Sequence, residues 1–167
     1  MQDWKASSKK LPSRIKNAAI FAMRRVVLST HFRGDALVIS TGSEKVRSND
    51  THFRFRAGSD FYYLTGNLEP DCVLVLTPQP KGPHRSHLFV EPNPGKTSST
   101  FFTDRHKGEL WVGPRLGVPQ SLARYGVDEA HPLGDLNAFL KRHRRMRVLR
   151  GFHSALDANR STPAHDK

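Results

Sequence analysis

The sequence predicts a mixed α/β domain, with a sheet of about five strands and helices packed against it. Three observations carry this. The run Cys72 to Thr77 is almost wholly apolar, as suits a central strand covered on both faces. A second short apolar run, Ala36 to Ser40, is closed by the turn residues Thr41-Gly42-Ser43. Before and after these runs lie segments with apolar residues at three- and four-residue spacing, the period of amphipathic helices. The order is helix, four strands, two helices and a last strand, which gives one layered α/β unit.

Size and composition agree with that class. A chain of 167 residues is about one domain's worth and buries roughly two-thirds of its unfolded surface. The 11 Pro and 12 Gly imply many turns. The net charge of +12 raises the prior for an anionic partner, nucleic acid above all. Its distribution argues the other way: 14 of the 27 Lys/Arg fall in residues 1–34 and 141–150, and the middle is closer to balance. Nucleic acid is therefore disfavoured as a partner. Cys72 is the only cysteine, so no intrachain disulfide forms. No secretory signal is visible, and the longest apolar runs, about five residues, fall far short of a membrane span. A cytoplasmic protein without a membrane partner is the expectation.

Residues 1–11 are polar, basic and without periodicity, and are expected to form a disordered leader. Pro12 to His31 predicts a helix opened by Pro12 or Ser13 and stopped near Gly34, with Ile15, Ala18, Ala19, Ala22 and Val26 on its apolar face. Arg24 and Arg25 are assigned to its solvated face. Ala36 to Ser40 is a buried strand. From Arg47 to Asp71 the chain is rich in aromatic and charged residues. Phe53 and Phe55 alternate with Arg54 and Arg56, and Phe61 to Gly66 is taken as a strand with both faces covered. The aromatic residues of this stretch are assigned to the sheet core. Cys72 to Thr77 is the firmest strand, 78–83 a loop, and His87 to Val90 a neighbouring strand. A long loop leads to Phe101 and on to Gly113. Pro119 to Tyr125 is a short helix ended by Gly126, Leu133 to Leu140 another helix, and Val148-Leu149 a last strand. After Asp157 the composition turns polar and disorder is expected over 158–167.

Chemistry-bearing motifs are few. The sequence has no His-Glu-x-x-His, no Gly-x-Ser-x-Gly and no P-loop. His84-x-x-His87 has no third ligand at a recognised spacing, so both are assigned structural or solvent-facing roles. Cys72 suits a small buried hydrophobe. Asp104 and Glu109 are explained as loop charges. The basic run Lys141 to Arg150 lies partly on a helix and is taken as its solvated face. The Phe/Arg alternation at 53–56 resembles a single-strand binding platform, but Asp50 and Asp60 flank it with the wrong charge.

The central stretch is similar to a known family. Arg47-Ser48-Asn49-Asp50, Phe53-Arg54-Phe55-Arg56, Ser59 to Gly66 and Glu69-Pro70-Asp71 resemble the N-terminal domain of aminopeptidase P, the Xaa-Pro aminopeptidase family. Gly108-Glu109-Leu110-Trp111-Val112-Gly113-Pro114-Arg115-Leu116-Gly117 resembles the same family's Glu-x-Trp-x-Gly-x-Arg-x-Gly segment, and Tyr125 to Asp128 and Pro132-Leu133 follow in the family's order. The resemblance covers residues 14–157.

It implies a ribonuclease H-like fold, that of creatinase and prolidase N-terminal domains. It also implies an enzyme that removes an N-terminal residue preceding proline, using two manganese ions and a bridging water. In the family the metal ligands belong to a C-terminal pita-bread domain, none of whose motifs occurs in residues 12–157. The chain is therefore expected to have no catalytic residue, to bind no cofactor itself, and to meet a peptide substrate only beside a catalytic domain. A truncated or stand-alone domain fits that expectation. The resemblance implies two substrate-cleft positions, Asp50 near the catalytic network and Trp111 as a wall of a neighbouring subunit's site. The local alternatives are a salt bridge to Arg47 and a core aromatic. Arg47, Arg56 and Tyr62 are weaker candidates for architecture or interface. Homo-oligomerisation or association with a full-length relative is the implied partnership. The main alternative is a non-catalytic protein-interaction module.

Overall fold

The firmest strand of the sequence lies in the middle of the sheet. In the computed structural model, which describes residues 11–48, 51–93, 95, 98–104, 108–151 and 154–158, the strands are β1 (Ala36–Ser40), β2 (Val46–Ser48), β3 (Thr51–His52), β4 (Val73–Thr77), β5 (Arg85–Val90), β6 (Glu129–Pro132) and β7 (Met146–Val148). The helices are α1 (Ala18–His31), α2 (Ser59–Thr65), α3 (Thr100–Thr103), α4 (Glu109–Val112), α5 (Val118–Tyr125), α6 (Leu136–Leu140) and α7 (Ser154–Ala158). A five-stranded sheet runs in the order β6-β5-β4-β1-β7, and β2 and β3 form a separate hairpin. β4 pairs antiparallel with β1 and β5, while β7 joins β1 and β6 joins β5 in parallel.

The period-two alternation of the strands divides the core. Leu37, Ile39, Leu74, Leu76, Leu88 and Val90 face one side, where Leu28 of α1, Phe61 and Leu64 of α2 and Tyr125 of α5 cover them. Val38, Val73, Val75 and Phe89 face the other, under Leu136 and Leu140 of α6 and Leu156 of α7. Both faces are covered, which is why β4 is apolar from Val73 to Leu76.

Residues 61–66, expected as a strand, instead supply Phe61 to Thr65 of α2 and the glycine that follows it. Phe61, Leu64 and Thr65 are buried at helical spacing, while Tyr62 and Tyr63 point outward. Gly66, at φ +69°, ends the helix by donating its N–H to the Tyr62 carbonyl at 2.8 Å. A run of consecutive aromatics satisfies both periods, and only the core decides between them. The fifth strand is instead β6, which carries no strong apolar signal. It is held to β5 through Asp128, whose Oδ2 accepts from the Ser86 amide at 2.7 Å and the Ser86 hydroxyl at 2.6 Å. Burial pushes the Asp128 carboxyl up, but these two hydrogen bonds and the nearby Arg25 and Arg85 outweigh it and hold it below its ordinary value.

α1 begins at Ala18, later than expected, because residues before it run alongside α5: the Ile15 amide donates to the Arg124 carbonyl at 2.9 Å. Its buried stripe is Ala18, Phe21, Arg25 and Ser29, whereas Ala19 and Val26 face solvent. Arg25 is thus in the core and not on the solvated face. The aromatic residues of 47–71 also divide against expectation: Phe61 is fully buried, but Phe53, Tyr62 and Tyr63 are exposed. The basic run 141–150 is not helical beyond Leu140. It turns into β7, and Arg145 and Arg147 both bind Asp35 at the start of β1, at 2.9 and 2.7 Å. Residues 1–10 and 159–167 lie outside the described residues, and Ala158, expected in the tail, closes α7.

Candidate functional site

β1, β5, β6 and β7 run in one direction and β4 against them, so four strand C-termini emerge at one edge of the sheet. In α/β sheets that edge collects the loops that meet ligands. Here β1 is followed by 41–58, with the β2–β3 hairpin, β5 by 91–117, and β7 by Gly151. The Arg115 guanidinium reaches Glu44 at 3.5 Å and ties the second loop to the first. Glu109 Oε1 accepts from Asn93 Nδ2 at 2.5 Å and the Arg115 amide at 3.1 Å, which closes the second loop on itself. Glu109, assigned as a loop charge, is instead the first residue of α4 and closes the loop from there.

Two grooves lie on this loop-bearing surface. One, of about 310 Å³, is lined by Thr41, Lys45, Phe53, Arg54, Arg56 and Gly151. The other, of about 830 Å³, is lined by Arg24, Arg54, Arg56, Tyr62, Tyr63 and Leu68 among others. Their walls combine guanidinium groups with exposed aromatic faces. The Arg24 guanidinium stands 4.0 Å from the Tyr63 ring centroid and that of Arg47 stands 6.0 Å from Phe53, which orients the cations over π-faces. A third, more apolar groove of about 510 Å³ runs between α1 and β7, with Met23, Val27, Phe32, Tyr63 and Leu149 in its wall.

The sequence candidates fall on this surface unevenly. Arg56 lines both basic grooves and Tyr62 the larger one, with its ring centroid 6.2 Å from that of Phe21. Arg47 is exposed on β2. Trp111 is on α4, half exposed, and its indole Nε1 donates to the Phe102 carbonyl at 2.9 Å. It is no core aromatic: it stands outward beside the exposed Leu110 and Phe102. Trp111 lines none of these three grooves; the loop that carries it is tied to the first loop by the Arg115–Glu44 pair. Asp50, and with it the ion pair to Arg47, lies outside the described residues.

Two other sequence assignments have outcomes here. Cys72 is buried at the head of β4, and burial pushes its thiol up to about 12, so it is no nucleophile at neutral pH. His84 and His87 do not converge: His84 Nε2 bonds the Asp35 carbonyl at 2.8 Å. Instead His87 meets Glu129 and His131, the one group of three potential metal-ligand side chains among the described residues. Sequence reasoning missed it because β6 was not recognised; the alternation of Glu129 and His131 along a strand was the available signal.

Residues 21–148 match the family model described as aminopeptidase P, N-terminal domain. The chain is similar to Xaa-Pro aminopeptidase 1 of Streptomyces coelicolor, 38% identical over 148 residues that make up 86% of this chain and 29% of that protein. It is similar to the Xaa-Pro aminopeptidase of Escherichia coli, 33% identical over 118 residues, 70% of this chain and 24% of that one. Among solved structures, E. coli aminopeptidase P with the inhibitor Pro-Leu matches with a TM-score of 0.71 at 28% identity, over 87% of this chain and 32% of that chain. This chain thus spans less than a third of the length of these relatives.

Proposed function

We propose, from the premise that the chain belongs to the aminopeptidase P N-terminal-domain family, that it forms one wall of the substrate cleft of a Xaa-Pro aminopeptidase and has no peptidase activity by itself. The observation that carries this reading is the loop-bearing edge of the sheet. Phe53, Tyr62 and Tyr63 are exposed by roughly half their surface and share the two basic grooves with Arg54 and Arg56, with Arg47 over the Phe53 ring, while Trp111, equally exposed, stands outside those grooves. An exposed aromatic surface of this kind is ordinarily covered by a partner or a ligand. In this reading Trp111 and Asp50 contact a peptide bound to a metallopeptidase domain, Arg47, Arg56 and Tyr62 brace the interface with it, and the assembly is an oligomer working in the cytoplasm.

The hydrolytic step belongs to two manganese ions held outside these residues. A dinuclear centre of the family's type takes two Asp, one His and two Glu; the one donor group among the described residues has two His and one Glu. These residues do not fit that centre, and no step of the cleavage is assigned to them.

The test is an assay of a Xaa-Pro peptide with the purified chain, Mn²⁺, and a separately produced Xaa-Pro aminopeptidase catalytic domain. No turnover above the metal blank is expected from the chain alone, and a rise in kcat/KM of the catalytic domain is expected on adding it. Turnover by the chain alone, free of host peptidase, overturns the reading.

A second reading, a non-catalytic interaction module, is favoured by α1, whose Ile20, Met23, Val26 and Val27 are exposed. Size-exclusion chromatography alone and with a full-length relative tests it; a monomer in both runs counts against it.

A further inference from the structure

Three donor atoms meet beneath α6, where β5 pairs with the edge strand β6. The parallel register sets His87 opposite Glu129 and Phe89 opposite His131. Alternation along each strand then turns His87, Glu129 and His131 to one face. His87 Nδ1 lies 3.2 Å from His131 Nε2 and 3.3 Å from Glu129 Oε2, and His131 Nε2 lies 3.1 Å from that same oxygen. The triangle is nearly equilateral. Ligands held tetrahedrally at the usual zinc–nitrogen distance stand about 3.3 Å from one another. The three atoms therefore have the spacing of one face of a zinc tetrahedron.

The surroundings leave His87 Nδ1 and Glu129 Oε2 free to ligate and hold the His131 ring in place. His87 Nε2 lies 3.0 Å from Thr77 Oγ1, and that hydroxyl faces the Arg85 carbonyl at 3.5 Å. With the hydroxyl proton directed to the carbonyl, Oγ1 accepts from Nε2–H and Nδ1 keeps its lone pair toward the triangle, which is the outer-partner arrangement of metal-binding histidines. Arg85 binds Glu129 Oε1 at 2.8 Å and leaves Oε2 for the triangle. The His131 ring stacks on Phe89 with centroids 5.0 Å apart, and Phe139 packs against both imidazoles at 4.8 and 5.7 Å. The rings are fixed before any ion arrives, which lowers the ordering cost of binding.

The bonding inventory favours a cation. With both imidazoles neutral, the triangle has two acceptors, His87 Nδ1 and Glu129 Oε2, and a single N–H, from His131, to share between them. A dication satisfies all three atoms together. Access is one-sided: the His87 side chain is 7% exposed, those of His131 and Glu129 27% and 35%. The closed end holds His87 and the open end leaves a fourth position to water or a small ligand. Two imidazoles and one carboxylate suit zinc, whereas magnesium and calcium require six or more oxygens.

We propose that His87 Nδ1, His131 Nε2 and Glu129 Oε2 form a mononuclear zinc site with one open coordination position, fastening the edge strand β6 to β5. The site stands on this chain's own geometry and is independent of the cleft reading above.

The test uses the whole chain stripped of metal and titrated with Zn²⁺ alone, by calorimetry and by metal analysis after dialysis. One zinc per chain is expected. His131→Ala and Glu129→Gln are each expected to weaken binding at least about tenfold, while His84→Asn and His31→Asn, outside the triangle, bind as the parent does. Co²⁺ in place of Zn²⁺ is expected to give the visible d–d absorption of a four-coordinate ion in the parent and not in Glu129→Gln. Zinc is also expected to raise the melting midpoint of the parent by mass action and to leave that of His131→Ala unmoved. Glu129 is one-third exposed, so if His131→Ala fails to fold, Glu129→Gln alone decides. No zinc uptake by the parent overturns the proposal. So does uptake that both triangle variants retain, or that His84→Asn or His31→Asn removes as completely.

Discussion

The guanidinium of Arg25 donates to the Leu64 carbonyl at 2.9 Å from a position only 6% exposed to solvent. Its other arm donates to the Gly126 carbonyl at 2.7 Å. Both carbonyls lie at helix C-termini, of α2 and α5, where backbone oxygens lack intrahelical partners. One side chain of α1 thus ties together the three helices that cover one face of the sheet. Burial draws the Arg25 pKa down and the charge of Asp128 counters it; the group remains a cation at any ordinary pH.

Replacing Arg25 by Met is expected to lower stability by about 3 kcal/mol, because two charge-assisted bonds are lost and the buried Leu64 and part-buried Gly126 carbonyls lose their partner. Lys, which reaches one carbonyl at a time, is expected to fall between. Urea unfolding followed by far-UV circular dichroism checks the order. A Met variant as stable as the parent would show that the clamp contributes nothing.

Gly66 has no room for a methyl group. A Cβ there would come within 2.4 Å of the Phe21 ring, and the backbone is left-handed at φ +69°. Gly66→Ala is expected to cost about 2–4 kcal/mol, from the strained conformation and the displaced ring together. The drop in thermal midpoint measures it, and Gly34→Ala, with a positive φ but open space around it, is expected to cost less.

Asp35 sets an acid limb. The hydrogen bond from Arg147 first, and the charges of Arg145 and Arg147 with it, hold its carboxyl below its ordinary value against the opposing effect of burial. A depressed folded-state pKa means the stabilisation is full above the unfolded value, near 4, and is lost as pH falls through the folded one. Because Arg145 and Arg147 are 75% and 49% exposed, the pair is worth only about 1 kcal/mol. Asp35→Asn is therefore expected to be slightly less stable at pH 7 and to converge with the parent as pH falls through the depressed pKa of Asp35. Denaturation midpoints across that range decide it; a constant gap would remove Asp35 from the acid response.

The Cys72 thiol, 1% exposed and pushed up to about 12, is expected to resist a thiol reagent in the folded chain and to react at once in denaturant. Spectrophotometric titration with and without urea measures the difference. Rapid native labelling would show that the head of β4 opens.

Trp111 separates function from stability. It is half exposed and holds one backbone carbonyl, so Trp111→Phe is expected to change stability by less than about 1 kcal/mol. As a cleft wall, it is expected to reduce the rise in kcat/KM that the chain gives to a catalytic domain. An unaltered rise would remove Trp111 from the cleft.

Much of the framework was legible from local sequence. Ala36–Ser40 and Cys72–Thr77 announce themselves by apolar continuity, and both are buried throughout. α5 was marked by its Pro119 and its terminal Gly126. The family was legible through motif order, since several short matches in sequence are far more specific than one. These signals share a cause: a strand covered on both faces must be apolar wherever it lies, and a helix cap needs its residue type on the spot.

The sequence by itself determined the α/β class, the central strands and the family. Only the tertiary structure decided that Phe61–Thr65 is helical, that Arg25 points inward, and that His87 and His131, 44 residues apart, come to 3.2 Å. Each of those outcomes depends on partners distant in the chain. The aromatic run fits two periods until the Leu74–Leu88 face selects one, the Arg25 charge is tolerable inside only because the carbonyls of Leu64 and Gly126 await it, and the donor triangle exists only through the register of β5 against β6. Local propensity is a property of neighbours along the chain, whereas burial and register are properties of neighbours in space, and the candidate sites of this protein are built from the latter.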